Sequence, residues 1–191
     1  DFSSCYLITD TSIVTLVEIC PEITDVNLEY CELLTDASIV AFAEGCPLLE
    51  SVNLVRCELI TDASIVALME NLPQLKSVGG YFTINEATFT GESRLTDAVV
   101  AQVMLRPEAA ELKEVDLSGY DYDYDYDYDY DYDYDYPGHD YEAGCELITD
   151  ASIGAIAEGC PQLESVNLKR CVLVTGDSVV VLVEKNPELK S

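Results

Sequence analysis

The chain copies itself, and that regularity limits what it can fold into more than any composition does. Cys5, Cys31 and Cys57 stand 26 residues apart, as do Cys20 and Cys46, and Cys145 and Cys171. Residues 31–56 read CELLTDASIVAFAEGCPLLESVNLVR, and residues 145–170 read CELITDASIGAIAEGCPQLESVNLKR. One Thr anchors each unit, at Thr9, Thr35, Thr61, Thr96, Thr149 and Thr175, so the intervals are 26, 26, 35, 53 and 26 residues. The third and fourth intervals therefore hold insertions of 9 and 27 residues. A unit this short is one supersecondary element that can hide its apolar side only against its neighbours.

Inside a unit the periodicity changes once. After Thr35-Asp36 the apolar residues Ile39, Phe42, Ala43 and Cys46 fall at i, i+3, i+4 and i+7, which predicts a helix with one buried face. The same stripe recurs as Ile13, Leu16, Val17 and Cys20, and as Ile153, Ile156, Ala157 and Cys160. Thr35 is placed to cap the first turn, Asp36 to face the positive end of the helix dipole, and Gly45 with Pro47 to end the helix. Beyond the proline, Leu49, Val52, Leu54 and Cys57 take over, with the alternation of a short strand. One such helix and strand cannot offset about 1–2 kcal/mol per residue of backbone ordering entropy, whereas stacked copies share a core.

The spacing L-x-x-L-x-L-x-x-C, with T-D after it and C-P at the helix end, resembles the cysteine-containing leucine-rich repeats of F-box substrate receptors. It is filled by Leu49, Val52, Leu54 and Cys57, by Ile23, Val26, Leu28 and Cys31, and by Leu163, Val166, Leu168 and Cys171. The resemblance implies an α/β fold: a right-handed leucine-rich-repeat solenoid of about six coils, parallel sheet on the concave side and helices on the convex side. It gives one solenoid over 1–191, with repeats 5–30, 31–56, 57–82, 92–119, 145–170 and 171–191 and rim insertions at 79–94 and 120–144. It also implies protein recognition, including the substrate-recognition part of an F-box-type ubiquitin ligase. Asp1 to Cys5 aligns with Asn27 to Cys31, and Glu188 to Ser191 with Gln74 to Ser77. The expectation is a window on a longer solenoid, or copies that self-associate head to tail through uncapped ends into a filament or large complex.

Charge narrows the partner. Nine Lys+Arg against 37 Asp+Glu give −28, which excludes nucleic acid and anionic membrane surfaces as direct partners and favours a basic protein held in a salt-dependent way. No run approaches the ~18–20 apolar residues of a membrane span. An Asp-Tyr dipeptide repeated eight times over 121–136 supplies eight of the acids, and the rest still sums to 9 − 29 = −20.

The eight cysteines occupy two repeat positions and are expected to be buried free thiols, which favours an intracellular compartment; no signal peptide is present in this segment. No C-x-x-C or similarly close ligand set exists, so no metal and no cofactor is expected. His139, the sole histidine, lies in a turn-like Pro137-Gly138-His139-Asp140, and G-x-S-x-G, P-loop and G-x-G-x-x-G motifs are missing. The chain is therefore expected not to be an enzyme.

Contact candidates come from two places. Both insertions leave after a strand, on one rim. The first carries Tyr81, Phe82 and Phe89, read either as packing on the core edge or as a contact patch. The second carries the tract from Asp121 and Tyr122 to Tyr136, read as a solvated low-complexity loop or as an extended strand with its Tyr and Asp on opposite faces. On the outward side of the sheet stand Asn27, Asn53, Asp116 and Asn167.

Overall fold

The computed structural model describes residues 1–92, 94–118 and 145–190. The Asp-Tyr tract, with Asp121, Tyr122 and Tyr136, lies outside the described residues. Each anchoring Thr precedes a helix: α1 Asp10–Ile19, α2 Asp36–Gly45, α3 Asp62–Asn71, α4 Asp97–Met104, α5 Asp150–Gly159 and α6 Gly176–Lys185. Each helix packs on the next in chain order. The strands are β1 Asp25–Asn27, β2 Ser51–Asn53, β3 Ser77–Gly79, β4 Phe82–Asn85, β5 Thr88–Gly91, β6 Glu114–Asp116 and β7 Ser165–Asn167, and they form one seven-stranded sheet in that order. The result is an α/β, solenoid-like stack with a mostly parallel sheet. The repeat length sets the register, with Asp25 opposite Ser51 and Ser51 opposite Ser77.

The core is arranged in columns. Val26, Val52, Val78 and Val115 are buried, as are Leu49, Leu75, Leu112 and Leu163, and the helical set Ile39, Ile65, Val100 and Ile153. Six cysteines are buried, while Cys5 and Cys20, both in the first described coil, are exposed. The buried thiols act as donors as well as apolar groups. Cys57 Sγ donates to the Leu28 carbonyl at 3.1 Å and Cys31 Sγ to that of Phe2 at 3.2 Å, so a cysteine satisfies backbone of the coil before it.

A polar ladder runs beside this core. The Asp that opens a helix accepts from the Thr and Ser that open the next one. Asp10 takes the Thr35 N–H at 2.9 Å, the Thr35 hydroxyl at 2.8 Å and the Ser38 hydroxyl at 2.5 Å. Asp36, Asp97 and Asp150 repeat the triple contact on Thr61 and Ser64, Thr149 and Ser152, and Thr175 and Ser178. These carboxylates therefore bond between coils, a role beyond the dipole effect read from the sequence. Thr35 and Thr149 do cap their own helices.

The first insertion departs from expectation. It does not project from the rim: β4 and β5 form an antiparallel hairpin inside the sheet, β4 against β3 and β5 parallel to β6. Alternation explains this, since Phe82 and Phe89 point into the core, stacked with ring centroids 6.0 Å apart, while Thr83 and Thr90 pair on the other face.

Candidate functional site

Three groups of side chains were candidates for contact, and the fold treats them differently. Tyr81, Phe82 and Phe89 are buried, so the contact-patch reading of the first insertion is corrected: they are core side chains. Tyr81 lies under the guanidinium of Arg94, 4.8 Å from the ring centroid, and its hydroxyl donates to the Ile60 carbonyl at 3.3 Å. Burial pushes its phenol up to about 12, although the Arg94 charge works the other way.

The sheet-face residues mainly shape the backbone. Asn27 Oδ1 accepts the Glu29 N–H at 3.0 Å, Asn53 Oδ1 that of Val55 at 3.1 Å, Asn167 Oδ1 that of Lys169 at 3.0 Å, and Asp116 Oδ1 that of Ser118 at 2.9 Å. Each is an Asx turn that bends the chain out of its strand. The bend ends in a left-handed residue before the cysteine, at Ser4, Tyr30, Arg56 and Arg170. In the third coil Gly79 holds the Asn position, where a Cβ would come within 2.4 Å of Asn53 Oδ1. Their oxygens are thus engaged locally, and Asn53 Nδ2 donates to Glu29 at 3.4 Å.

What the stack leaves exposed is a row that the sequence reading did not single out. The Leu two residues before the anchoring Thr is exposed in five coils: Leu7, Leu33, Leu59, Leu147 and Leu173, from 47% exposed at Leu33 to 88% at Leu7. Its neighbour Leu34, Ile60 or Ile148 is fully buried, so the turn aims one apolar residue inward and the preceding one at water. Beside the leucines run exposed Glu32, Glu58 and Glu146. In the fourth coil the leucine position is taken by Arg94, which folds inward. Its guanidinium donates to the Cys57 carbonyl at 2.9 Å and also to that of Ile60. The row is thus split into Leu7, Leu33 and Leu59 on one side and Leu147 and Leu173 on the other. Its signal was in the sequence all along: these leucines recur at the repeat interval but fit neither the helical stripe nor the strand alternation.

The charge around the row is mostly negative. Lys76, Lys113, Lys185 and Lys190 are engaged with Glu50, Glu164 and Glu158 in exposed pairs, Lys76 Nζ reaching Glu50 at 2.6 Å. Arg94 and Arg106 are turned into the protein, Arg106 onto the Leu72 and Leu75 carbonyls. Glu32, Glu58 and Glu146 stand exposed beside the row, with Arg56, also exposed, two residues from Glu58. Among the described residues no group of three or more His, Cys, Asp or Glu is placed to hold a metal ion, and no helix is long and apolar enough to cross a membrane.

No protein-family model and no curated protein sequence matches the chain. Among solved structures it is similar to a chain of the Rad7 and Elc1 complex from yeast, with a TM-score of 0.51 and 18% identity. That likeness, which covers 96% of this chain and 38% of the other, is one of fold; the chain spans under two fifths of the length of the structure it matches.

Proposed function

We propose that this chain is a non-enzymatic protein-interaction or scaffold module of leucine-rich-repeat type, a right-handed solenoid of about six coils that recruits a partner through its acidic, leucine-lined turn edge. The observation that carries the reading is the exposed leucine at one repeat position in five coils, next to a glutamate in three of them. Scattered apolar residues on a surface need no explanation; a file of them in register does. Leu33 and Leu59 are each about half exposed, so covering what remains is worth about 0.8–1.5 kcal/mol apiece. Several of them together can anchor a specific contact.

The test is capture from an extract by the immobilised full chain, beside Leu33→Asp/Leu59→Asp and beside Asn27→Ala/Asn53→Ala. The expected result is a defined set of proteins that is lost with the leucine pair, eluted by salt, and retained by the asparagine pair. An identical set on wild type and on the leucine variant would remove the turn edge from consideration. Co-purification with an F-box adaptor would specify the ligase role within this reading.

A second reading, head-to-tail assembly of copies, draws on an apolar cleft on the first coil, lined by Phe2, Ile8, Ile13, Leu16, Ile19 and Cys20. It ranks lower because the last coil has Gly176 where its predecessors carry the ladder Asp, so it brings no carboxylate to Thr9 and Ser12. Sedimentation of purified protein across a concentration series separates the two, a growing mass favouring assembly.

A further inference from the structure

We infer that the occupant of the Leu7, Leu33 and Leu59 row is a basic amphipathic helix of a partner protein, with one apolar residue per turn seated on the leucines and Lys or Arg beside the Glu32 and Glu58 carboxylates. The inference rests on the interaction reading above and names the chemistry of the partner. Three observations carry it.

The first is spacing. Successive coils lie one strand spacing apart on the sheet side, about 4.7–4.9 Å, and about 8–10 Å apart on the helix side. Backbone pairing between coils continues past the strand, the Tyr30 N–H reaching the Val55 carbonyl, and Thr149 and Leu173 form a parallel bridge in the leucine turn itself, so the spacing of that turn belongs near the smaller value. A helix advances about 5.4 Å per turn, which sets side chains at i, i+3 or i+4, and i+7 against consecutive leucines. A strand lying along the row, with same-face residues about 6.6–6.8 Å apart, falls out of step within three coils.

The second is backbone satisfaction. The N–H groups that follow Leu33 are already taken: that of Leu34 by the Cys31 carbonyl, and that of Thr35 by Asp10. The next coil repeats this, with Ile60 N–H on the Cys57 carbonyl and Thr61 N–H on Asp36. A surface of this kind offers little main-chain pairing to an added strand, and it suits a ligand whose backbone is satisfied internally.

The third is charge. Glu32 and Glu58 are exposed beside Leu33 and Leu59, on a chain with a net charge of −28. A second copy seated on the row would bring its own glutamates against these, so like charge opposes self-pairing, and a cationic face complements it.

The experiment uses the full chain and a synthetic Leu/Lys peptide of about 18 residues, five helical turns, with its leucines aligned on one face. The controls are a peptide of the same composition with the leucines dispersed around the helix, and one with Glu in place of Lys. Binding is measured by fluorescence anisotropy, and peptide helicity by circular dichroism. The aligned basic peptide is expected to bind and gain helicity. Leu33→Ser and Leu59→Ser are each expected to weaken it by about tenfold, and Glu32→Gln/Glu58→Gln to flatten its salt dependence. Both leucines are exposed, so the variants are expected to melt as wild type does. Equal binding of the dispersed peptide, or indifference to the leucine substitutions, overturns the inference. So does binding of the acidic peptide, or a wild-type dimer abolished by Leu33→Ser, which would make a second copy the occupant. If the peptide fails while extract capture still depends on Leu33 and Leu59, the interaction reading stands and only the helical, basic occupant falls.

Discussion

Asp36→Ala should weaken the stack at one defined joint. The carboxylate accepts the Thr61 N–H at 2.7 Å, the Thr61 hydroxyl at 2.8 Å and the Ser64 hydroxyl at 2.7 Å. Sheltered hydrogen bonds to a charged group contribute about 1.5–3 kcal/mol each. This one is partly open to water, and Ser64 keeps a second acceptor in the Thr61 carbonyl at 3.0 Å. Discounted for solvent, the loss comes to about 2 kcal/mol in all. Asp62 is the internal control. Val99 stands where the other coils have Ser, so the described contact of Asp62 is the Thr96 hydroxyl at 3.1 Å, and Asp62→Ala should cost at most about 1 kcal/mol. The pH dependence follows from the same contacts. Burial alone would raise the Asp36 pKa, but the Thr61 N–H and the Ser64 and Thr61 hydroxyls outweigh it, and the net position is below the ordinary carboxylate value. A depressed carboxylate contributes its full stability above the unfolded value of about 3.9, and that contribution fades as pH falls through the lower folded value. The gap between wild type and Asp36→Ala is therefore expected to be complete at neutral pH and to close below about pH 4. Urea unfolding followed by circular dichroism at neutral and acid pH reads the gap, and amide exchange on α2 and α3 locates it. Equal costs for Asp36→Ala and Asp62→Ala, or a gap that widens in acid, would refute the reasoning.

Three further outcomes follow from single side chains. Asn186 is buried with its Oδ1 unpartnered while its Nδ2 donates to the Leu182 carbonyl at 3.1 Å, in a repeat position held elsewhere by Cys46, Leu72 or Cys160; Asn186→Leu should raise stability by about 1–2 kcal/mol in urea unfolding. Arg56 is exposed with φ 61°, so Arg56→Gly relieves a left-handed strain and is expected to raise the melting midpoint, by about 0.5–1 kcal/mol in stability terms. Native thiol titration should find two fast thiols, Cys5 and Cys20, ahead of six slow ones, because burial shields Cys57 and Cys160 and pushes their thiols up to about 11 and about 12; uniform labelling of all eight cysteines in folded protein would contradict the buried columns.

The sequence disclosed whatever is repeated and buried. Ile39, Phe42 and Cys46 announced a helix face, and Val52 with Leu54 a strand, because solvent exclusion leaves a periodic mark in one dimension. Contacts between coils leave a fainter mark. That Asp36 bonds to Thr61 and Ser64 depends on where the next coil sits, and the T-D-x-S spacing alone is equally consistent with a helix that only caps itself. The outward Asn residues were legible as exposed, yet their Asx turns required the corner geometry. The hairpin was missed because an insertion in a repeat reads as something added outside the stack, whereas Phe82 and Phe89 had an apolar slot to fill between β3 and β6.

The joint between the third and fourth coils is where several repeat rules lapse together. Val99 replaces the ladder Ser, Glu92 the Cys, Arg94 the outward Leu and Gly79 the Asn, and here the hairpin enters the sheet. One physical mismatch connects these changes. Elsewhere a single strand spacing of about 5 Å faces one helix spacing of about 8–10 Å, so the sheet side is the shorter. Between β3 and β6 there are three strand spacings, about 14 Å, while α3 still packs on α4. The sheet side is locally the longer, and carbonyls of the third coil face the widened joint. Two long side chains of the fourth coil reach back to them: Arg94 to Cys57 and Ile60, and Arg106 to Leu72 and Leu75. Burying a guanidinium costs several kcal/mol unless its N–H groups are satisfied, and burial does lower the Arg106 pKa. Backbone carbonyls meet that need, and Tyr81 adds a ring face under Arg94. The substitution that closes the joint also removes a leucine from the exposed row. The insertion that fills the core therefore divides the outer surface into a three-leucine segment and a two-leucine segment, and a helix about three turns long fits the first without crossing the break.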